Sequence, residues 1–395
     1  MRFLNLIASL NPEHGGPIEG ALKLADAQRA RGHDVSFVTL DWPEADYLPK
    51  SGVTALGKQG HPGQGGRPLK FHERFSFSPR LVTWLRKHVS QFDAVFVNGL
   101  WNFTTVAARL ALVGQKVPYF VFPHGSLDPW FARRYPGRHF AKTFLWPLVE
   151  GQVMNHAAGV FFTTGEEQRL AHGCYTPYRV RPFVVGYGAD DPGADLEGQK
   201  QAFRLTFPML ADKRFLLFLS RLHHKKGCDI LIQAFAAIAA AHPDLDLVMA
   251  GPDQIGWQAA LEAQAAGLGI AHRIHWTGMI SGAVKWGAFR CAEAFILSSH
   301  SENFGIVVAE ALACGTPVLI SDKVNVWREV EEDGAGLVSH DTVDGTAGML
   351  SAWLALPPEA RAAMRERGRA CYERRYQMAS VAGRIDEIIR ETSAS

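Results

Sequence analysis

Short apolar segments, each followed by a glycine-rich turn and then a helical segment, recur along this 395-residue chain and constrain its fold most strongly. The first such segment, Phe3–Ser9, predicts a strand. Ile18–Arg31 predicts an amphipathic helix that ends at Gly32, and Val35–Leu40 predicts the next strand. A strand, a helix and a second strand in this order form a βαβ unit with parallel strands. The repeating pattern therefore predicts an α/β protein built on parallel sheets.

The pattern is interrupted around residues 185–195, whose sequence VGYGADDPGAD is rich in Gly, Asp and Pro. Such a composition is typical of a linker, and the strand pattern restarts at Phe215–Leu219. A chain of this length suits two domains. We predict an N-terminal domain over residues 1–187 and a second domain over residues 188–375. Residues 41–78 have little periodicity and predict a long loop.

Two glutamates separated by seven residues form the strongest functional signal, in the segment Ser301–Glu310 with the sequence SENFGIVVAE. The NFG tripeptide opens a helix directly after a strand, where free backbone N–H groups favour an anion. Glu302 precedes this helix and Glu310 lies within it, so their carboxylates reach different parts of one ligand. Because the helix is apolar almost all round, Glu310 is expected to be buried and to need a partner. The alternative is an ordinary helix with one exposed and one capping glutamate.

A second charged segment, Ser220–Gly227 with the sequence SRLHHKKG, follows the predicted strand Phe215–Leu219. It places Arg221 and Lys226 at the carboxyl end of that strand. A guanidinium fork and an ammonium point charge together suit a diphosphate. A solvated charged turn is the alternative interpretation.

The N-terminal half offers weaker signals. Gly15 and Gly16 form a turn after the first strand, either as a plain tight turn or as a place where backbone approaches a phosphate. His124 follows a buried strand, where it either makes structural hydrogen bonds or contacts a reacting sugar. Asp128 is either a helix cap or an acceptor-side base, and the cap is the preferred interpretation.

The acceptor is expected to bind the N-terminal half, where Trp101 and Trp130 follow strand ends and either stack on sugar rings or pack in the core. Residues 1–185 carry 21 Lys/Arg against 13 Asp/Glu. The stretches Phe77–Val89 and Arg133–Trp146 combine cations with large apolar residues. They are either ordinary surface helices or segments that rest on an anionic membrane. The five scattered cysteines have no CxxC spacing, which indicates a reducing cytoplasm.

The second half closely resembles the large retaining glycosyltransferase family 4, which has the GT-B fold. The resemblance covers residues 215–338 and rests on motifs that follow one another in the order expected of the family. These are R-x4-K-G, the Gly251-Pro252 turn, WTGMI at Trp276–Ile280, E-x7-E, and ACGTPV at Ala313–Val318. The N-terminal half resembles the family more loosely, through the Gly-Gly turn and the PHG element. One departure is Asn303, where many relatives carry Gly.

The resemblance implies two Rossmann-like domains that face each other across a cleft, with a C-terminal helix over residues 376–395 packing back on the N-terminal domain. Arg221 and Lys226 would bind the donor diphosphate, Glu310 the ribose hydroxyls, and His124 the sugar. The other implied donor contacts are Gly15, Gly16, Gly251, Ile280, Glu302, Asn303, Phe304, Gly305 and Ile306.

The activity implied by the resemblance is retaining transfer of a hexose from a GDP- or UDP-sugar, without a metal or other cofactor. We prefer front-face attack, in which the departing phosphate accepts the acceptor's proton. Glu302 as a nucleophile is the less favoured alternative. The expected acceptor is a saccharide or lipid-linked saccharide in bacterial exopolysaccharide or O-antigen synthesis, in the cytoplasm at the inner face of the plasma membrane. A nucleotide-sugar epimerase or hydrolase and a non-catalytic nucleotide-sugar-binding protein are the alternatives.

Overall fold

The computed structural model describes residues 1–12, 16–57 and 77–393 and divides the chain into two α/β domains, each built on one parallel sheet. The first domain comprises Met1–Gly188 together with Met378–Ser395, and the second comprises Ala189–Gln377. The chain thus passes between the domains after residues 188 and 377, where the sequence predicted 187 and 375. Two parallel sheets confirm the predicted fold class.

The first sheet has seven strands in the order β3-β2-β1-β4-β5-β6-β7, all parallel. Its strands are β1 (Arg2–Ile7), β2 (Asp34–Thr39), β3 (Val53–Ala55), β4 (Ala94–Asn98), β5 (Tyr119–Phe122), β6 (Gly159–Phe162) and β7 (Pro182–Val184). The helices in the described part of this domain are Gly16–Ala30, Arg80–His88, Phe103–Ala111, Pro129–Arg134, Pro136–Leu145, Glu150–Asn155, Gly165–Ala171 and Met378–Ser393.

The second sheet has six parallel strands in the order β10-β9-β8-β11-β12-β13. Its strands are β8 (Arg214–Leu219), β9 (Leu245–Ala250), β10 (Ile274–Gly278), β11 (Phe295–Leu297), β12 (Val318–Ser321) and β13 (Gly336–Ser339). Its helices are Leu196–Thr206, Cys228–Ala239, Gln258–Gly267, Gly282–Cys291, Ile306–Ala313, Trp327–Glu332, Val343–Ala355 and Pro358–Cys371, and Tyr372–Tyr376 forms a π-helical turn.

The predicted loop over residues 41–78 is wrong in one part, because Val53–Ala55 is a strand that pairs with β2. A three-residue strand carries too little apolar periodicity to be recognised from sequence, and it forms because β2 offers it an edge. Residues 58–76 of the predicted loop lie outside the described residues.

Strand order reverses between β1 and β4 in the first sheet and between β8 and β11 in the second. In open parallel sheets a ligand binds beyond the carboxyl ends of the strands at such a switch point. The turns that follow β8 and β11 are therefore the first place to search for a ligand site in the second domain. Among the described residues, no helix is long and apolar enough to cross a membrane.

The C-terminal helix Met378–Ser393 returns to the first domain, as the resemblance implied. Its buried side chains include Val381, Ile385 and Ile389, which share one apolar cluster with the helix Gly16–Ala30. Asp386, on the same helix, is fully buried and accepts hydrogen bonds at Oδ2 from Arg31 Nε (2.7 Å) and from the His33 ring (2.9 Å). A buried carboxylate that needs these two hydrogen-bond donors fixes where this helix docks.

Removing the Asp386 carboxylate takes the buried acceptor from Arg31 and from the His33 ring, whose side chain is only 8% exposed. We expect Asp386→Ala to lower the free energy of unfolding by about 2 to 3 kcal/mol, measured by urea denaturation. Asp26→Ala is the matched control, because Asp26 pairs with Arg29 on the exposed side of the helix Gly16–Ala30 and its side chain is 75% exposed. This control should change stability by less than about 0.5 kcal/mol. Equal losses in the two variants would contradict the assignment.

Candidate functional site

The turns after β8 and β11 meet at the switch point of the second sheet, and they bring Lys226 and Glu302 together. Lys226 lies in the short 3-10 segment His224–Lys226, and its ammonium donates a hydrogen bond to Glu302 Oε2. The side chains of Lys226 and Glu302 are only 11% and 20% exposed. An ion pair this shielded from water interacts more strongly than a surface pair.

Gly227 makes this approach possible. Its φ is +62°, and a Cβ built on it would overlap the backbone oxygen of Ser298 in the turn after β11. The His300 N–H also donates to the Lys225 carbonyl at 2.8 Å, which ties the two turns together. Any side chain at 227 would push apart the turns that carry Lys226 and Glu302.

The loop after a third strand, β12, holds the backbone of Glu302. The Glu302 N–H donates to the Lys323 carbonyl at 2.9 Å, and the Asn325 N–H donates to the Glu302 carbonyl at 3.0 Å. Lys323 and Asn325 belong to the loop after β12. Hydrogen bonds on both sides of the residue fix its backbone, so that the carboxylate direction is set before any ligand binds.

The helix that contains Glu310 begins one residue after Gly305, whose φ is +75°. A Cβ at Gly305 would crowd Glu302 Cγ at 3.2 Å, so glycine keeps the helix start close to the acidic loop. The first backbone N–H groups of the helix Ile306–Ala313 have no partner within the helix and carry its positive dipole end. Phe304 is buried, whereas Asn303 and Ile306 are half-buried.

Glu310 is 5% exposed, as the sequence predicted for this helix, and the structure supplies its partner. Lys285 Nζ lies 2.7 Å from Glu310 Oε1 and 4.1 Å from the centroid of the Trp286 ring. Lys285 stands near the start of the helix Gly282–Cys291, five residues after Ile280. Sequence reasoning missed Lys285, although the need of a buried Glu310 for a cation was a signal that such a residue exists.

Arg221, Gly251 and Ile280 complete the carboxyl edge of this sheet. Arg221 is exposed, and its Nη1 donates to Gln254 Oε1 at 2.9 Å in the turn after β9. Gly251 has a φ of +138°, and a Cβ there would overlap the Ser220 carbonyl. Ile280 follows β10 and is half-buried. The predicted site residues of the described second domain thus all lie beyond the carboxyl ends of the strands of this sheet.

In the first domain, His124 follows β5 with an unusual φ of +48°. Its Nε2 lies 3.2 Å from Asn98 Oδ1, and Asn98 Nδ2 donates to Asn5 Oδ1 at 3.2 Å. Burial lowers the pKa of His124 to about 4, so the imidazole is neutral at neutral pH. With Nε2 donating to Asn98, the unprotonated nitrogen is Nδ1. Asn98 is a site neighbour that the sequence analysis did not single out.

Gly16 begins the helix Gly16–Ala30, and the Tyr187 hydroxyl donates to its carbonyl oxygen. A Cβ at Gly20, one turn along, would overlap the Tyr187 ring. The segment around Tyr187 was predicted only as a linker, yet here it holds the first turn of the helix in place. Gly15 lies outside the described residues.

The structure shows Asp128 as a helix cap, because its Oδ1 accepts from the Trp130 N–H at 2.8 Å. The Trp130 ring packs against Phe131, with centroids 5.3 Å apart. Trp101, with φ at +68°, holds the Lys142 ammonium 4.4 Å from its ring centroid. These contacts account for the three residues structurally.

A buried carboxyl lies beneath Trp101. Glu150 accepts a hydrogen bond from the Trp101 N–H, and burial raises the pKa of Glu150 to about 7. It was not singled out from the sequence, because an apolar segment with one glutamate gives no sign that the carboxyl faces inward. Among the described residues, no group of three or more His, Cys, Asp or Glu side chains could hold a metal ion.

Two Rossmann-like domains, the second with paired charges at its switch point, define a protein of the GT-B architecture. Two family models match it: "Glycosyl transferases group 1" over residues 201–370 and "Glycosyl transferase 4-like domain" over residues 15–188. The chain belongs to this glycosyltransferase family.

Relatives of known sequence agree with this assignment. An uncharacterised glycosyltransferase of Methanocaldococcus jannaschii is 30% identical over 329 residues, which are 80% of this chain and 78% of the relative. A D-inositol 3-phosphate glycosyltransferase of Saccharomonospora viridis is 32% identical over 52% of this chain and 50% of its own length. The chain spans about half the length of the curated D-inositol 3-phosphate glycosyltransferases that it matches first.

A solved structure shows the same fold. Anabaena HepE, crystallised in complex with UDP and glucose, superposes with a TM-score of 0.73 and covers 99% of this chain and 100% of its own. The two sequences are 18% identical, so the likeness concerns the fold.

Gly227→Ala tests whether the close approach of the two turns is required. The new Cβ would overlap the Ser298 carbonyl, so we expect a loss of at least about 2 kcal/mol in the free energy of unfolding. Gly269→Ala is the control, because Gly269 has a φ of +74° but a Cβ there would meet nothing within 4 Å. The free energy of unfolding of that variant should fall by only about 1 kcal/mol, the cost of placing alanine in a left-handed conformation. Urea denaturation separates the two, and equal losses would show that the approach does not matter.

Proposed function

We propose that the chain is a retaining glycosyltransferase that transfers a hexose from a GDP- or UDP-sugar without a metal ion. The observation that carries the proposal is the Lys226–Glu302 ion pair at the switch point of the second sheet, next to the open start of the helix Ile306–Ala313. Family membership supports glycosyl transfer. Anabaena HepE was also crystallised in complex with UDP-glucose, which supports a nucleotide-sugar donor.

The donor diphosphate is neutralised by Arg221, Lys226 and the helix start. An ammonium has three N–H donors, so Lys226 can keep Glu302 and still donate to a phosphate oxygen. Arg221 is exposed at the edge of the site and offers a planar fork to the second phosphate. Fixed cations and backbone N–H groups stabilise the charge that develops on the leaving phosphate. This is the basis on which we propose that no metal is needed.

The hydroxyl groups of the donor are bound by the two glutamates. Glu302, fixed by backbone hydrogen bonds from the loop after β12, accepts from the hexose, and Glu310 accepts from the ribose. Gly305 and Ile306 let the sugar lie against the helix start. Asn303 adds an amide where many relatives have glycine, and so changes the hydrogen bonds that are offered to the hexose.

Transfer proceeds by front-face attack. The bond between the anomeric carbon and the phosphate oxygen breaks, and the acceptor oxygen bonds to the same face of that carbon. The proton of the acceptor hydroxyl passes to the departing phosphate oxygen, so the nucleoside diphosphate itself is the base. The side chains named above position the donor and stabilise charge. His124, as a neutral imidazole, accepts a hydrogen bond from a sugar hydroxyl at Nδ1.

The first domain binds the acceptor, and one of its surfaces suits an anionic membrane. The helices Pro129–Arg134 and Pro136–Leu145 contain no buried residue. The exposed apolar side chains of the second helix and of the turn that follows it are here called the aromatic face: Phe140, Phe144, Leu145 and Leu148, which are 66%, 63%, 51% and 67% exposed. Four cations and no acidic residue occur from Pro129 to Val149. An apolar surface flanked by cations is the pattern of a segment that lies in the membrane interface.

The other predicted membrane segment, Phe77–Val89, is less suitable. Leu81 and Leu85 on its helix Arg80–His88 are fully buried in the core of the first domain. These two leucines are therefore used in folding. The proposed membrane contact rests on the aromatic face alone.

A membrane contact on the acceptor-binding domain favours a lipid-linked saccharide acceptor over a soluble one. Extension of such a lipid-linked saccharide on the inner face of a plasma membrane would serve exopolysaccharide or O-antigen synthesis. An epimerase or hydrolase would instead consume the donor without an acceptor, and a non-catalytic protein would bind it unchanged. Measurements of nucleotide binding and of donor turnover distinguish these alternatives.

We expect GDP or UDP to raise the thermal stability of the protein equally with and without EDTA. At a ligand concentration of about 100 times the dissociation constant the stabilisation is about 2.7 kcal/mol. Lys226→Met should abolish most of it. Lys213→Met is the control. Lys213 directly precedes β8, at the amino ends of the strands and away from the proposed site, and it pairs with Asp246 of β9. No stabilisation of the folded wild type by any nucleotide would overturn the donor site, and sensitivity to EDTA would overturn metal independence.

Turnover of the donor distinguishes an enzyme from a binding protein. Glu302→Ala should keep binding of the nucleoside diphosphate but lose consumption of the nucleotide sugar. A wild type that binds the donor and never consumes it, with any saccharide acceptor, would favour the non-catalytic interpretation. Consumption to an isomeric donor would favour the epimerase.

We expect the protein to sediment with vesicles that contain phosphatidylserine or phosphatidylglycerol at low salt, and less at high salt. Replacing both Phe140 and Phe144 by serine should weaken this binding by at least about tenfold. The matched control replaces Leu205 and Met209 of the second domain, which are 72% and 62% exposed. Wild type that ignores anionic vesicles, or equal loss in both double variants, would refute the membrane contact.

A further inference from the structure

The carboxylate of Glu310 is placed where a charge is costly. Glu310 is 5% exposed, and its neighbours on the helix Ile306–Ala313, among them Val308, Ala309 and Leu312, are buried as well. A carboxylate in such surroundings persists as an anion only with a compensating charge or several hydrogen-bond donors.

Lys285 supplies a charge from another element. It stands in the helix Gly282–Cys291, which follows β10, and its Nζ lies 2.7 Å from Glu310 Oε1. The exposed fractions of the two side chains are 19% and 7%, so the pair is shielded from solvent. The Trp286 ring lies beneath the same ammonium at 4.1 Å and restricts where it can move.

The pair duplicates the arrangement at Glu302. Each acidic residue of the E-x7-E segment has its own lysine, Lys226 from the turn after β8 and Lys285 from the helix after β10. Lys226 stands beside the diphosphate of the proposed donor. Lys285 therefore belongs to the other part of the ligand, where Glu310 meets the ribose.

We propose that Lys285 is a positioning residue for the nucleoside part of the donor, which holds the Glu310 carboxylate in the direction that accepts the ribose hydroxyls. This inference rests on the proposed nucleotide-sugar donor. Lys285 donates to Oε1. A carboxylate has about four lone-pair sites, so this one hydrogen bond does not exhaust the capacity of Glu310 to accept hydroxyl protons. The lysine acts on the ribose through Glu310 and takes no part in the chemical step.

The test compares dissociation constants for a nucleoside diphosphate and for its 2′,3′-dideoxy counterpart, measured by calorimetry. In the wild type, loss of the two hydroxyls should weaken binding by about 10- to 100-fold, the range for hydrogen bonds to a charged group. In Lys285→Met the normal nucleotide should bind about tenfold or more weakly, and removal of the hydroxyls should then matter little. The KM for the donor should rise in the same proportion while kcat changes less than about threefold.

Lys200→Met is the matched control. Lys200 also pairs with a glutamate in the second domain, at 2.8 Å from Glu197, but the Glu197 side chain is 79% exposed to solvent. It should leave both dissociation constants unchanged. Lys285→Arg keeps the charge and should restore part of the preference for the ribose hydroxyls.

If Lys285→Met alone fails to fold, Glu310→Gln and the double variant Lys285→Met with Glu310→Gln remain informative, because neither leaves a charged glutamate unpaired. The double variant should bind the nucleotide as Glu310→Gln does. A further tenfold loss in the double variant would show that Lys285 acts independently of Glu310 and overturn the proposal. So would an unchanged preference for the ribose hydroxyls in Lys285→Met. Absence of any nucleotide binding by the wild type would instead refute the proposed function.

Discussion

The close approach of the turn after β8 to the turn after β11 is the constraint on which the site depends. Gly227 lies against the Ser298 carbonyl with no room for a Cβ, and Lys226 reaches Glu302 as a result. Parallel strands bring all their carboxyl ends to one edge, but they do not by themselves bring two turns into contact. Glycines with a positive φ at 227 and 251 let backbone approach backbone, and Gly305 leaves room for the Glu302 side chain.

The charges at this edge are arranged in pairs that are kept largely from water. Burying a lysine and a glutamate together contributes little to stability, because loss of hydration offsets their attraction. The role of these ion pairs is to position side chains. Each pair fixes a carboxylate before a ligand arrives, so less ordering is required on binding. Two such pairs on one sheet edge are hard to explain by folding alone, and they support a site for a ligand that carries both phosphates and hydroxyls.

The sequence predicted the fold class and most of the second-domain site, because both depend on local patterns. Buried parallel strands are continuous apolar runs, and the motif residues stand directly after them. Three short strands were missed. Val53–Ala55 fell within a predicted loop, and Pro182–Val184 and Gly336–Ser339 were not identified, since so few residues show no period.

Contacts between segments that are distant along the chain could not be predicted from the sequence. Nothing local to Lys285 marks it as the partner of Glu310, and nothing near Tyr187 shows that its hydroxyl reaches Gly16. The need for a cation could be inferred from the apolar helix around Glu310, but its identity depends on which helices pack together. The C-terminal helix, in contrast, was expected on the first domain from family resemblance, and Asp386 gives the physical reason.

Hydrogen–deuterium exchange of the second domain, with and without a nucleoside diphosphate, tests the location of the donor site most directly. Backbone amides exchange more slowly where a ligand orders or covers them. We expect added protection in residues 220–227, 251–256, 279–286 and 300–310, and little change along Pro358–Cys371. Protection confined to segments away from the carboxyl edge of the second sheet would contradict the assignment of Lys226, Glu302 and Glu310 to the donor.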